Sequence, residues 1–201
     1  ALPAPANDFK CGPLIDLSDP DPFIGCPGGL PFASDDEQVE SCISVSPANP
    51  KNIVTAWIGG KVKGIVAGVT FDGGNHWRQV VPPGLTHCTG GTLDAAVDPW
   101  LSFAPNGDVY LISAQFTYPD ANAIVVTKSS DGGLRWSSPI VLAESTDPRF
   151  INDKPSIAAD PTDSRFVYAV WNHSANGNRG PAALSRTTDG GHTWEPARVL
   201  F

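Results

Sequence analysis

Short apolar runs rich in β-branched side chains recur along the chain, broken by clusters of Gly, Pro, Asn and Asp. Such runs read as strands, and no stretch places apolar residues at the spacing of a helix face. The runs repeat as a set. Ile43-Ser-Val-Ser-Pro47, Leu101-Ser-Phe-Ala-Pro105 and Ile157-Ala-Ala-Asp-Pro161 each lead through a turn into a second run, which ends at Trp57, Ser113 or Trp171. A third run follows in each case, at Gly64–Thr70, Ala123–Thr127 and Ala182–Ser185. Next comes the turn: Thr70-Phe-Asp72-Gly73-Gly74-Asn-His-Trp77, Ser129-Ser-Asp131-Gly132-Gly133-Leu-Arg-Trp136, and Thr187-Thr-Asp189-Gly190-Gly191-His-Thr-Trp194. A fourth run closes each set at Gln79–Val81, Pro139–Leu142 and Arg198–Phe201, and the turn aspartates step by 59 and 58 residues.

Four antiparallel strands per unit describe a propeller blade. The expected fold is therefore all-β, with three blades at about 38–83, 97–143 and 153–201 after an arm at 1–37. The turn has its own logic. Its Asp can accept hydrogen bonds from amides of the same turn, paired glycines supply angles that a side chain resists, and the Trp offers an indole for packing. These residues resemble the Asp-box, or bacterial neuraminidase repeat, of sialidase-like propellers, over about residues 38–201. The third box fits the pattern throughout, whereas the first two carry His76 and Arg135 where the pattern has Thr. Asp98-Pro-Trp-Leu-Ser and Asn152-Asp-Lys-Pro-Ser are similar to stretches of secreted bacterial and fungal members. The resemblance implies that Asp72, Gly74, Trp77, Asp131, Gly133, Trp136, Asp189, Gly191 and Trp194 hold the fold rather than perform chemistry. It also implies a ring of six or seven blades. The remaining blades are expected from the same chain, from a nicked second fragment or from a second copy joined head to tail. Within the arm, residues 13–17 are expected to lend a strand to the last blade.

Composition narrows the partners. A net charge of −8 argues against nucleic-acid backbones and anionic membranes, and no apolar run is long enough to span a bilayer. Four cysteines in the first half suit disulfides in a secreted protein, with Cys26–Cys88 and Cys11–Cys42 the expected pairs and Cys11–Cys26 an open alternative. Asn172-His-Ser is a glycosylation sequon on an expected loop, consistent with an extracellular protein. No metal site is expected from the four histidines, which lack paired ligand spacing. Asp16, Asp19 and Asp21 form an acidic cluster able to take Ca²⁺, although without an ordered binding loop.

Propeller ligands sit at one end of the central axis, so chemistry is sought in the segments leading into each innermost strand. Glu40, Asp98 and Lys154 each stand three residues before the matched Ile43, Leu101 and Ile157, and Asp153 precedes Lys154. Asp98, Asp153 and Glu40 are the candidate acids and bases. Arg149, Lys154, Trp57 and Tyr118 are the candidate substrate contacts, with Lys61, Lys63, Asp120, His173 and Arg179 on the loops between second and third strands. Aromatics beside carboxylates suit a glycan, and a carbohydrate-active enzyme and a non-catalytic glycan-binding or structural propeller are both compatible with that mouth. In sialidases three arginines clamp the substrate carboxylate, the first within a Phe/Tyr-Arg-Ile-Pro motif. Here no Arg precedes Arg78, and this speaks against sialidase activity.

Overall fold

The computed structural model describes residues 12–30, 33–34, 38–175 and 180–200. Three four-stranded antiparallel sheets follow one another along the chain, each with its strands in sequence order. The first blade is β1 (Val39–Val45), β2 (Ile53–Gly59), β3 (Gly64–Thr70) and β4 (Arg78–Val80). The second is β5 (Ala95–Phe103), β6 (Val109–Thr117), β7 (Ala121–Ser129) and β8 (Ile140–Ser145). The third is β9 (Phe150–Ala159), β10 (Val167–Ala175), β11 (Ala182–Thr187) and β12 (Arg198–Val199). The one helical piece among the described residues is a 3₁₀ turn at His87–Thr89. The architecture is all-β, three consecutive blades of a β-propeller.

Strand alternation builds the core in layers. Val54, Ala56 and Ile58 of β2 turn one way, onto Leu101, Val109 and Leu111 of the second blade. The opposite face of that blade, with Tyr110, Ile112 and Ile124, packs on Ile157, Ala169 and Trp171 of the third. Burying such side chains contributes roughly 1.5–3 kcal/mol each, so the two inter-blade layers dominate stability.

All three Asp-Gly-Gly turns are locked internally, and the second and third are also gripped from behind. In the third turn Asp189 Oδ1 accepts from Thr187 Oγ1 at 2.7 Å and from the Thr193 amide at 2.9 Å, while the Gly191 amide donates to Thr187 Oγ1 at 3.0 Å. Asp72 and Asp131 accept from the amides of His76 and Arg135 in the same way, at 3.0 and 2.9 Å. The preceding blade then holds the turn. Asn52 Nδ2 donates to Gly132 O at 3.0 Å, and Tyr110 Oη and Lys128 Nζ donate to Gly190 O at 2.8 and 2.9 Å. Gly133 has φ 103° and lies so close to the first blade that a Cβ there would stand 2.7 Å from Val54 Cγ2. Trp136 is buried in the core of the first two blades, and Trp194 packs against that of the last two.

The arm takes a course the sequence pattern does not predict. Residues 13–17 form no strand, and Leu14 and Ile15 are exposed. The segment instead lies over the free face of the first blade. Phe23, 3% exposed, sits on a floor of Gly59, Gly60 and Gly64, where a Cβ on Gly64 would come within 2.5 Å of its ring. Gln79 Nε2 donates to Leu17 O at 3.1 Å and to Pro20 O at 3.3 Å. A disulfide joins Cys26 to Cys88, 62 residues apart. Cys42 carries a free thiol, and Cys11, its expected partner, lies outside the described residues. Asn172 stands within β10, paired with Ala182 and Asp153, rather than on a loop.

Candidate functional site at the propeller axis

Each innermost strand carries one bulge at the same place. Glu40-Ser41 bulges between Val39 and Cys42, Asp98-Pro99 between Val97 and Trp100, and Lys154-Pro155 between Asp153 and Ser156. The leading residue of each takes a left-handed φ: 55° at Glu40, 52° at Asp98 and 49° at Lys154. Side chains with a Cβ resist that region, and a bulge re-aims the residue it inserts. The result is convergence. Lys154 Nζ lies 2.6 Å from Asp98 Oδ1 and 3.6 Å from Glu40 Oε1, and Glu40 Oε2 accepts from the Asp98 amide at 3.0 Å. One residue from each blade thus meets its counterparts over a basin of about 400 Å³, which Cys42, Trp100 and Ser156 also line. These three residues lie inside strands rather than in the loops that lead to them.

The cluster holds three carboxyls and one ammonium, and its members are driven apart in proton affinity. Burial raises Asp98, but hydrogen bonds from Glu40, Lys154 and Asp153 outweigh it and hold the carboxyl below its ordinary value. Asp153 is raised by burial and then by its hydrogen bond to, and the charge of, Asp98. Glu40 is raised for the same two reasons, burial first. Lys154 is raised, foremost by its hydrogen bond to Asp98. Asp98 therefore stays ionised while Glu40 and Asp153 retain protons to higher pH, the separation that acid/base pairs require. Burial pushes the Cys42 thiol up to about 11, which keeps it neutral and a poor nucleophile.

Asp153 also lines a mostly apolar cleft of about 310 Å³ built mainly by the second and third blades. The second blade gives it Phe116, Tyr118, Pro119 and Ala121, the segment into the third blade gives Pro148 and Phe150, and the arm gives Leu30. Behind Phe150 a polar network fixes every amide orientation. The Asn152 amide can only donate, so Asn122 Oδ1 accepts from it at 2.9 Å and from Asn152 Nδ2 at 3.0 Å. Asn152 Oδ1 is then left to accept from Trp171 Nε1 at 3.1 Å and from His173 Nδ1 at 2.9 Å, which sets the imidazole tautomer. The His173 ring in turn stacks on Phe150 at 5.5 Å.

Other expected contacts fall elsewhere. Trp57, opposite the first bulge, is 6% exposed beneath Phe23 and does not reach the mouth. Arg149 stands near the cleft with its guanidinium forked on Asp147, at 2.6 Å from Nη2, and over the Phe150 ring. Tyr118 is 67% exposed at the cleft rim. Lys61 gives its carbonyl to the Leu30 amide, Lys63 follows in the same β2–β3 turn, and Asp120 stands exposed beside Pro119. Arg179 lies outside the described residues. Asp16 turns to the amide and hydroxyl of Ser18, and Asp21 to the Phe23 amide. The one group of metal-capable side chains gathered among the described residues, Cys26, His87 and Cys88, has both sulfurs tied in the disulfide. Sequence reasoning missed Trp100, Asn122 and Asn152. Trp100 was within reach, since it follows the bulge residue by two, but nothing in spacing foretells that two asparagines from different blades pair.

No family model and no curated protein matches the chain. Solved structures do. An α-L-arabinanase of Penicillium chrysogenum superimposes with a TM-score of 0.62 at 15% identity, over 87% of this chain and 53% of that one. A protein of unknown function from Dyadobacter fermentans gives 0.60 at 19% identity, over 81% and 50%. A Hadza microbial sialidase gives 0.58 at 13%, over 78% and 36%. At such identities the likeness establishes the β-propeller fold, and the chain spans about a third to a half of the length of these structures.

Proposed function

We propose that this chain carries the axial site of an extracellular carbohydrate-active propeller that hydrolyses a neutral glycan, with Asp98 as the ionised carboxylate and Asp153 as the proton donor. The single observation that carries the reading is the convergence of Asp98, Asp153, Glu40 and Lys154 with opposed proton affinities on the axis. Glycoside hydrolysis uses two carboxyls in opposed states, about 5–10 Å apart around the scissile bond. Asp98 and Asp153, in hydrogen-bond contact here, must therefore part to admit the sugar. The likeness to an arabinanase and a sialidase supports a sugar substrate, and the charge of the site favours the former type. Lys154 is paired with Asp98 and Arg149 with Asp147, so neither is spare to clamp the carboxylate of a sialic acid. The three Asp-Gly-Gly turns are read as Asp-boxes holding the scaffold, and the disulfide fits an oxidising compartment.

A non-catalytic glycan-binding propeller is the second reading, favoured by the 2.6 Å contact with which Lys154 neutralises Asp98. The two separate on activity. Sugar release from linear arabinan is expected, with a bell-shaped pH profile that falls on the acid side as Asp98 protonates and on the alkaline side as Asp153 ionises. Asp98→Asn is expected to lower kcat about 10²–10⁴-fold, and a fluorogenic sialoside to be left intact. Binding of arabinan without release would select the second reading, and neither binding nor release would overturn both.

A further inference from the structure

We infer that the cleft beside Asp153 is a subsite for a flat aromatic group carried on the sugar, so that the site takes aryl-substituted glycosides in preference to bare ones. The inference rests on the proposed glycan site and names its substrate class. Few polar side chains line the cleft. Asn122 lines it, but both lone pairs of its Oδ1 go to Asn152 and its Nδ2 donates to Phe150 O at 2.9 Å. The Asp153 carboxyl and the Tyr118 hydroxyl are the other polar side-chain groups of the lining. A sugar ring carries a hydroxyl on most carbons and would leave several unpaired there, at a cost of about 1–3 kcal/mol each. A planar ring meets the opposite demand: Phe116 and Tyr118 offer aromatic surface, Phe150, whose faces are taken by His173 and Arg149, offers an edge, and Pro119 and Pro148 offer flat apolar surface.

The wall is held ready for this. Phe150 is stacked from behind by His173 with an interplanar angle of 11°, overlaid by the Arg149 guanidinium at 5.9 Å, and its carbonyl is held by Asn122. Little side-chain freedom remains to be lost on binding. Asp153 belongs to the cleft and to the carboxyl cluster at once. An aromatic group in the cleft therefore places the oxygen that joins it to the sugar beside Asp153, one of the two carboxyls held above their ordinary range, with the sugar over the basin of Asp98 and Glu40.

The test is calorimetry of the unmodified chain with three probes that it cannot hydrolyse: methyl 1-thio-α-L-arabinofuranoside, its 2-naphthyl counterpart, and 2-naphthol alone. The naphthyl thioglycoside is expected to bind about tenfold or more tightly than the methyl one. Ala121→Phe, which puts a ring into the cleft that Ala121 lines, and Tyr118→Ala, which removes exposed aromatic lining, are each expected to bring that ratio toward one. Equal binding of the two thioglycosides would overturn the subsite and leave the glycan reading standing. Binding of naphthol that is lost in Ala121→Phe, with no gain from the sugar, would uphold the aromatic subsite and overturn the glycan reading. If none of the three binds, both fall.

Discussion

The first and third blades end the described assembly in different ways. On the first, the face turned away from its neighbour is covered: Trp57 and Val66 are 6% and 0% exposed beneath Phe23 and Leu17, and the Cys26–Cys88 disulfide pins that cover. On the third, Val170 is 37% exposed and Asn172 is open on the equivalent outward face. Yet that face is not random. Tyr168 pairs with Arg186 across β10 and β11 as Tyr110 pairs with Lys128 across β6 and β7. The Tyr110–Lys128 pair is the one that grips Gly190 O of the following turn. One end is finished by an arm with its own glycine floor, and the other repeats the pattern by which a blade receives the next.

The largest expected effect is on the covered end. Phe23→Ala empties the seat over Gly59, Gly60 and Gly64 and is expected to cost about 3–5 kcal/mol in urea unfolding. Val170→Ala, the matching truncation on the open face, is expected to cost under about 1 kcal/mol. The open face should show itself in mass instead. Light scattering at low micromolar concentration is expected to find species heavier than the 21.1 kDa chain, and Val170→Lys to reduce them. Equal losses of stability for the two truncations, together with a clean monomer, would erase the distinction.

The turns sharpen the same contrast at smaller scale. Asp131→Ala is expected to cost about 1–3 kcal/mol, because its turn is buried against the first blade and its amide donors lose their acceptor. Asp72→Ala is expected to cost less, since its turn is open: a Cβ on Gly73 would meet nothing within 4 Å. Thermal melts of the two variants check the order.

The smallest effects lie where the two ends meet, since Lys154 of the third blade reaches Glu40 of the first. Asp98 is lowered by folding, so its stabilising contribution is present above the ordinary Asp range and is lost as pH falls through the depressed value. Glu40 is raised, so its contribution is present below the ordinary Glu range and is lost as pH rises through the raised value. At neutral pH, Asp98→Asn is expected to lower the melting temperature and Glu40→Gln to leave it unchanged or raise it slightly. A drop with Glu40→Gln as large as with Asp98→Asn would contradict the assignment.

The blades and turns were legible because three copies in step show which positions matter. The axial trio was legible for the same reason, Glu40, Asp98 and Lys154 each preceding a matched apolar residue by three. The arm was not. It has no repeat partner, and the seat of Phe23 is made by Gly59, Gly60 and Gly64, whose common purpose appears only when β2 and β3 pair. Trp57 misled for a related reason: its place at a strand end suggested the mouth, but alternation turns it toward the arm. The cleft depends on Tyr118 and Phe150 coming from different blades, a closeness that spacing does not encode.

The three bulges carry a consequence for how such a site can change. The left-handed backbone step delivers whichever side chain occupies it to the axis, and here it delivers Glu, Asp and Lys alike. Address and cargo are separate: the ladder on either side of the bulge specifies where, and a single codon specifies what. The net charge at the centre can then be rewritten one blade at a time without repacking a core residue, so that a lineage could pass from gripping cations to gripping anions while its scaffold stayed the same.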